Sequence, residues 1–195
     1  MTATKPQLIW RKRIADTETP VSAALKLFEP GRGDFILESV EGGETRGRHS
    51  LIGIAPDLVF RAAGPSAEIN ASWATDRDAF IPSPLPTMEA LRALSSACRM
   101  DDVPAELPQA LACLVGYFGY ETIGLVEKLP RAPQSPLSLP DMLFVRPTVI
   151  VVFDRLKDEM FLVSPVWTGN TDAQALALAQ QHRYALILMD MQMPN

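Results

Sequence analysis

Residues Phe35 to Gly53 read FILESVEGGETRGRHSLIG, and this stretch decides how the chain begins to fold. A short apolar run leads into the polar pair Glu38-Ser39, a glycine-rich turn follows, and a second apolar run closes the segment. Glycines in such a turn permit the positive φ angles that tight reversals require. The pattern predicts two short strands joined by a turn, which favours an antiparallel β fold.

Glu38 and Ser39 are the candidate binding residues of this stretch. A carboxylate and a hydroxyl at the end of a buried strand can hold an ammonium or amide group. The alternative interpretation is an ordinary surface hairpin with solvated polar side chains. The spacing of these residues alone favours the plain hairpin.

Proline, glycine and capping residues divide the rest of the chain into elements. Thr19-Pro20 is typical of a helix N-cap followed by proline at the first helical position, and four apolar side chains at helical spacing predict a second helix. Residues 67–86 have no clean period, and no element is predicted there. The predicted helices are 21–28 and 87–99, and the predicted strands are 7–14, 34–38, 50–54, 58–61, 149–153 and 160–166.

The segment Leu111 to Glu121, LACLVGYFGYE, is an apolar strand that breaks into two glycines three residues apart. Glycines at this spacing between aromatic residues indicate a close approach of backbone at a strand end. Aromatic core packing, with the glycines making room, is favoured over a ligand-binding role for this segment.

Composition and charge argue against several classes of function. The 195 residues are 47% hydrophobic and carry 18 basic and 23 acidic side chains, a net charge of −5. No basic stripe with interleaved aromatic residues suggests nucleic-acid binding, and no apolar run is long enough to span a bilayer. The N-terminal residues carry charges where a signal peptide needs an apolar stretch, and the cysteines Cys98 and Cys113 form no disulfide framework. We therefore expect a cytoplasmic protein with reduced, buried thiols.

Three separated blocks resemble one protein family when they are taken together. Residues 35–53, 111–121 and 140–167 are similar, in this order, to the N-terminal domain of the large subunit, component I, of anthranilate synthase. The resemblance covers residues 6–167 and implies an α+β fold, a mostly antiparallel β-sheet with flanking helices. The G-Y-F-G-Y-acid signature also occurs in the related aminodeoxychorismate synthase, which therefore stays open as an alternative.

The resemblance implies a regulatory part without catalytic chemistry. In the family, the segment that matches Glu38-Ser39 contributes to a tryptophan feedback site, which segments of the C-terminal domain complete. Chorismate and Mg²⁺ are bound by that C-terminal domain, for which this chain has no counterpart. We therefore expect no catalytic residue, no cofactor, structural roles for His49 and His182, and weak or no binding of L-tryptophan. The implied partners are the catalytic domain and a glutamine amidotransferase subunit.

Residues 171–195 resemble a different family, the receiver domains of bacterial response regulators. An amphipathic helix precedes an apolar strand, and Asp190 stands at the end of that strand, followed by Met191-Gln192-Met193-Pro194. In receivers the matching aspartate accepts a phosphoryl group. That chemistry also needs an acidic pair, a metal ion and a lysine, which a truncated receiver lacks. We expect Asp190 to be chemically silent.

Two classes of function remain open. The first is the tryptophan-sensing domain of anthranilate synthase component I, inactive as an enzyme by itself. The second is an interaction or signalling fragment whose biology is defined by the receiver-like tail.

Overall fold

The computed structural model describes residues 7–38, 48–100, 102–108, 111, 114–130 and 137–167. They form ten strands, two α-helices and one 3₁₀ helix in these parts of the chain. The α+β fold class predicted from the sequence is confirmed. In chain order the elements are β1 (Gln7–Ile14), α1 (Pro20–Leu27), β2 (Phe35–Leu37), β3 (His49–Ile54), β4 (Leu58–Ala63), β5 (Ser66–Asn70), β6 (Ile81–Pro82), α2 (Thr87–Ala97), β7 (Val115–Phe118), the 3₁₀ helix (Tyr120–Leu125), β8 (Met142–Arg146), β9 (Val149–Asp154) and β10 (Glu159–Val166).

The chain divides into two compact units. Among the described residues, the first unit holds those up to Ala55, those from 100 to 111 and those from Thr148 onward. The second unit holds residues 56–99 and the described residues between positions 112 and 147. Each unit is built around its own five-stranded antiparallel sheet.

The sheet of the first unit has the strand order β1-β10-β9-β3-β2. Apolar side chains pack against both faces of this sheet, and every residue of its central strand β9 is buried. The odd-numbered residues of β9 pack with α1 and with Ile52 and Ile54 of β3. The even-numbered Ile150 and Val152 pack on the other face, against Leu107 and Leu111. This alternation follows from the period of two in a strand and fixes which face each later side chain occupies.

Helix α1 begins as the sequence predicts. The Thr19 hydroxyl accepts a hydrogen bond from the Ser22 backbone N–H at 3.1 Å, and the Thr19 N–H donates to the Ser22 hydroxyl at 3.0 Å. This reciprocal capping box gives hydrogen-bond partners to two backbone N–H groups at the start of the helix, those of Thr19 and Ser22. Pro20 occupies the first helical position. The helix then buries Ala23, Ala24 and Leu27 against the sheet.

The sheet of the second unit has the order β6-β5-β4-β8-β7, with α2 packed on its core. Two sequence expectations need correction here. Strands β5 and β6 lie within residues 66–82, where no element was predicted, because Asn70 and a proline-rich stretch interrupt the strand period. Strand β7 runs from Val115 to Phe118 and therefore contains Gly116, the first glycine of the G-Y-F-G-Y segment. The sequence analysis predicted instead that the strand ends where this segment begins.

The described residues contain no helix that is long and apolar enough to cross a membrane. Cys98 is a buried free thiol, as predicted, and Cys113 lies outside the described residues.

Candidate functional site

Glu38 lies directly after the edge strand β2, at the position that the sequence predicts for a binding carboxylate. Its side chain is 35% exposed and forms an ion pair with the guanidinium group of Arg155. Ser39, the second predicted binding residue, lies outside the described residues. The structure therefore locates Glu38 but not Ser39, and it pairs Glu38 with Arg155, a partner that the sequence did not indicate.

The sheet register explains why Glu38 meets Arg155. Leu37 pairs with Leu51 of β3, and His49 of β3 pairs with Asp154 at the end of β9. Arg155 continues this ladder by one step, because its backbone N–H donates to the Arg48 carbonyl at 3.1 Å. The Arg155 side chain thus spans β3 and connects the β9–β10 turn with the end of β2.

A second, less exposed ion pair lies beside the first. Arg48 donates from Nε to Oδ1 of Asp154 at 2.9 Å, and its Nη2 contacts the other carboxylate oxygen. The Asp154 side chain is only 2% exposed, and its Oδ1 also accepts from the Leu156 N–H at 3.1 Å. The hydrogen bonds from Arg48 hold the pKa of the Asp154 carboxyl below its usual value, although burial acts in the opposite direction.

His49 completes this end of the sheet. Its Nε2 lies 3.9 Å from Oδ2 of Asp154. Burial lowers the pKa of His49 below its ordinary value, and the nearby Asp154 charge only partly offsets that effect. The ring is therefore neutral at pH 7, which fits the structural role that the sequence analysis assigned to it.

The two ion pairs differ in what they can do. Arg48–Asp154 is anchored by burial and by several hydrogen bonds, so it holds the β9–β10 turn in place. Glu38–Arg155 is formed by side chains that are 35% and 41% exposed, and such pairs are individually weak. A charged ligand can replace either partner at small cost. We call Glu38, Arg155 and their immediate surroundings the β2 site.

No group of three or more His, Cys, Asp or Glu side chains in the described part of the chain is placed to hold a metal ion. The sequence analysis missed Arg155, Asp154 and Arg48. A polar turn directly after the apolar strand β9 is evident in the sequence, but the sequence does not show that this turn lies beside the end of β2.

A broad groove of about 1430 Å³ lies in the second unit. Arg61 stacks on the Phe80 ring, 3.7 Å from its centroid, and pairs through Nε with Glu68 at 2.8 Å. Trp73 meets Phe80 edge to face, with centroids 6.0 Å apart. Glu38 does not line this groove, and about half of the lining residues lie between 67 and 86, where the sequence showed no clean period.

Curated proteins similar to this chain carry one name, anthranilate synthase component 1. No model of a protein family matches the chain. Anthranilate synthase component 1 from Cereibacter sphaeroides is 43% identical over 174 residues, which cover 89% of this chain and 35% of that protein. The protein of the same name from Thermus thermophilus is 38% identical over 154 residues, covering 78% of this chain and 30% of that protein.

A solved structure supports the same fold. Anthranilate synthase component I from Streptococcus pneumoniae TIGR4 matches with a TM-score of 0.55 and 21% identity, over 94% of this chain and 37% of that chain. The predicted resemblance to the N-terminal part of anthranilate synthase component I is confirmed. The chain spans about a third of the length of the curated relatives it matches. The receiver-like residues 171–195, with Asp190, lie outside the described residues, and their predicted silence stays a prediction.

Proposed function

Because the chain is homologous to the N-terminal part of anthranilate synthase component 1, we propose that it forms the tryptophan-sensing, regulatory part of such an enzyme. The observation that carries this proposal is the position of Glu38. A partly exposed carboxylate stands at the end of an edge strand, where the family resemblance implies contact with the ligand's amino group. The names of the relatives favour anthranilate synthase over aminodeoxychorismate synthase.

The chemistry of the β2 site supports binding more than catalysis. It offers one anionic and one cationic side chain with little burial, and this arrangement suits a small molecule that carries both charges. A site this open holds its ligand weakly, because ligand pockets normally bury most of the ligand.

We expect this chain to bind L-tryptophan with a dissociation constant in the millimolar range, and the variant Glu38→Gln to weaken that binding about fivefold or more. The neutral amide keeps the shape of the side chain but loses the charge that attracts an ammonium group. Ligand-observed NMR titration measures both constants. Glu68→Gln is the matched control, because Glu68 is a partly exposed carboxylate paired with an arginine in the second unit. Equal binding by the wild type and Glu38→Gln would contradict the proposal.

We also expect no conversion of chorismate to anthranilate by this chain, with either ammonia or glutamine as the nitrogen source. The reason is that the chain spans only about a third of the length of its relatives. The family resemblance implies that chorismate is bound by the remaining part of those proteins. Anthranilate fluorescence above a control without protein would show that the chain carries chemistry of its own. A full-length relative assayed in parallel shows that the assay detects the product.

A further inference from the structure

Strand β7 forms an open edge of the second unit's sheet. It pairs with β8 on one side, and no strand of the described residues pairs with its other side. Tyr117 and Phe118 in this strand and Tyr120 directly after it are exposed. Among the described residues, half of the large apolar side chains that are exposed lie between positions 117 and 139. Exposed apolar side chains gathered beside an open strand edge indicate a surface that another polypeptide covers.

The other three sheet edges carry features that oppose the addition of a strand. Strand β1 contains the basic run Arg11, Lys12 and Arg13, and β6 has only two residues, one of which is Pro82. Strand β2 has three residues and is followed by Glu38. Natural sheets use charges, prolines and short edge strands to prevent further pairing. Strand β7 has neither a charge nor a proline and is longer than β2 and β6, so it is the edge best suited to receive a strand.

We propose that β7 pairs in antiparallel fashion with β7 of a second copy of this chain. A two-fold axis generates an antiparallel strand pair, so the backbone edge of one strand is complementary to itself. Identical side chains approach each other across such an axis, and like charges there would repel. The sequence from Val115 to Tyr120 carries no charge, whereas the basic run of β1 would be repelled by its own copy. The neutrality of the strand is what makes a second copy a suitable partner.

An axis that passes through Tyr117 gives suitable side-chain neighbours. Each Tyr117 then faces Tyr117 of the second copy, and each Phe118 faces Gly116 of the second copy. Gly116 has no side chain, so a ring has room opposite it, and an aromatic neighbour across the strands stabilises an edge glycine. The pairing would also cover the Phe118 ring, whose only printed ring contact within its own copy is with Phe144.

The 3₁₀ helix that follows β7 enlarges the contact. Ile123 in this helix and Val126 directly after it are both exposed. A pair of four-residue strands is smaller than a standard interface, and these side chains add apolar area at each end of it. We therefore expect a weak dimer with a dissociation constant of about 50 µM.

The test is sedimentation velocity of the full chain between about 5 and about 500 µM, a range that spans the expected dissociation constant. The wild type should pass from monomer to dimer over this range. Phe118→Lys should raise the dissociation constant about tenfold or more, because it places a charge opposite an apolar strand and near its own copy. Ile81→Lys is the matched control and should leave the dissociation constant unchanged, because Ile81 is an exposed apolar residue on β6, the opposite edge of the same sheet.

A second variant separates loss of the dimer from loss of the fold. Phe118 also packs on Phe144, so Phe118→Lys can destabilise the monomer, whereas Tyr120 is the most exposed side chain of this surface. Tyr120→Lys should weaken the dimer about threefold or more and leave the melting temperature of the dilute monomer unchanged.

Isotope-filtered NMR on a mixture of labelled and unlabelled wild-type chains locates the interface. Contacts between the Tyr117 rings of two copies are the expected result. A monomer at about 500 µM would overturn the inference and leave this edge to a strand from a different polypeptide. A dimer that both lysine variants leave unchanged, or one whose contacts between copies lie on another surface, would overturn it as well. None of these outcomes bears on the proposed tryptophan binding, which is measured separately in the first unit.

Discussion

The variant Gly116→Ala should destabilise the second unit by about 3 kcal/mol, because a Cβ atom has no room at this position. An added Cβ would lie 1.9 Å from the Leu143 carbonyl oxygen and 2.7 Å from the Phe144 Cα. Both neighbours are backbone of the adjacent strand β8, which cannot rotate away as a flexible side chain can. The strands must therefore separate, and the ladder between β7 and β8 must weaken.

Gly124→Ala is the matched control for this prediction. No atom lies within 4 Å of a Cβ built on Gly124, so the same substitution should change stability by less than about 0.5 kcal/mol. Urea unfolding followed by NMR resolves the effect, because the indole of Trp73 reports on the second unit while Trp10 and Trp167 report on the first. Equal midpoints for Gly116→Ala and the wild type would show that β7 does not pack as described.

The G-Y-F-G-Y segment shows how local chemistry predicts a structural role. Two glycines between aromatic residues indicated a close backbone approach, and the contact of Gly116 with β8 confirms it. The aromatic side chains were expected in the core, but Phe118 and Tyr120 are 58% and 85% exposed. The glycines make room for the neighbouring backbone, and the Phe118 ring meets the buried Phe144 ring edge to face, with centroids 5.0 Å apart.

Two elements with clear local signals were predicted well. β1 was predicted with its observed bounds, and α1 was predicted from Thr19-Pro20 to within one residue at each end. These elements are specified by neighbours in sequence, through capping and side-chain alternation. Strands β5 and β6 were not predicted, since their stability comes from pairing with β4 and with each other more than from a local pattern.

The β2 site was only partly predictable for the same reason. Glu38 was found because it ends an apolar strand, whereas Arg155 stands 117 residues away and meets it only through the registers of β2, β3 and β9. Long-range pairing of this kind depends on the whole sheet and leaves no mark at either residue.

Replacing the buried carboxylate of Asp154 should have the second large effect on stability. Asp154→Asn removes the charge that pairs with Arg48, while the amide nitrogen of one rotamer would face the guanidinium group. Removal of one partner of a buried ion pair leaves the other charge uncompensated. Because the Arg48 side chain is 27% exposed and can find water, we expect a loss of about 2 kcal/mol at pH 7 in the first unit.

The matched control is Asp158→Asn, in the same turn. Asp158 is exposed and has a φ of 50°, a conformation that asparagine adopts as readily as aspartate. Its replacement should therefore leave stability within about 0.5 kcal/mol of the wild type. Urea unfolding followed through the Trp10 and Trp167 indoles measures both variants. Equal losses in the two variants would contradict a special role for the buried carboxylate.

The pH dependence of stability tests the cause of the effect. The pKa of Asp154 is lowered in the folded protein, so its stabilising contribution is complete above its unfolded value near about pH 4 and is lost as pH falls through the folded pKa. The lowered pKa of His49 acts in the same direction, because protonation below about pH 6.5 favours the unfolded chain. The Asp154 charge also raises the pKa of His49, so in Asp154→Asn that pKa lies lower still and protonation of His49 costs the variant more stability than the wild type. The difference in unfolding free energy between wild type and Asp154→Asn should therefore widen as pH falls below about 6.5 and shrink again below about pH 4. A difference that persists undiminished at pH 2.5 would mean that the carboxylate acts through packing and hydrogen-bond geometry instead of charge.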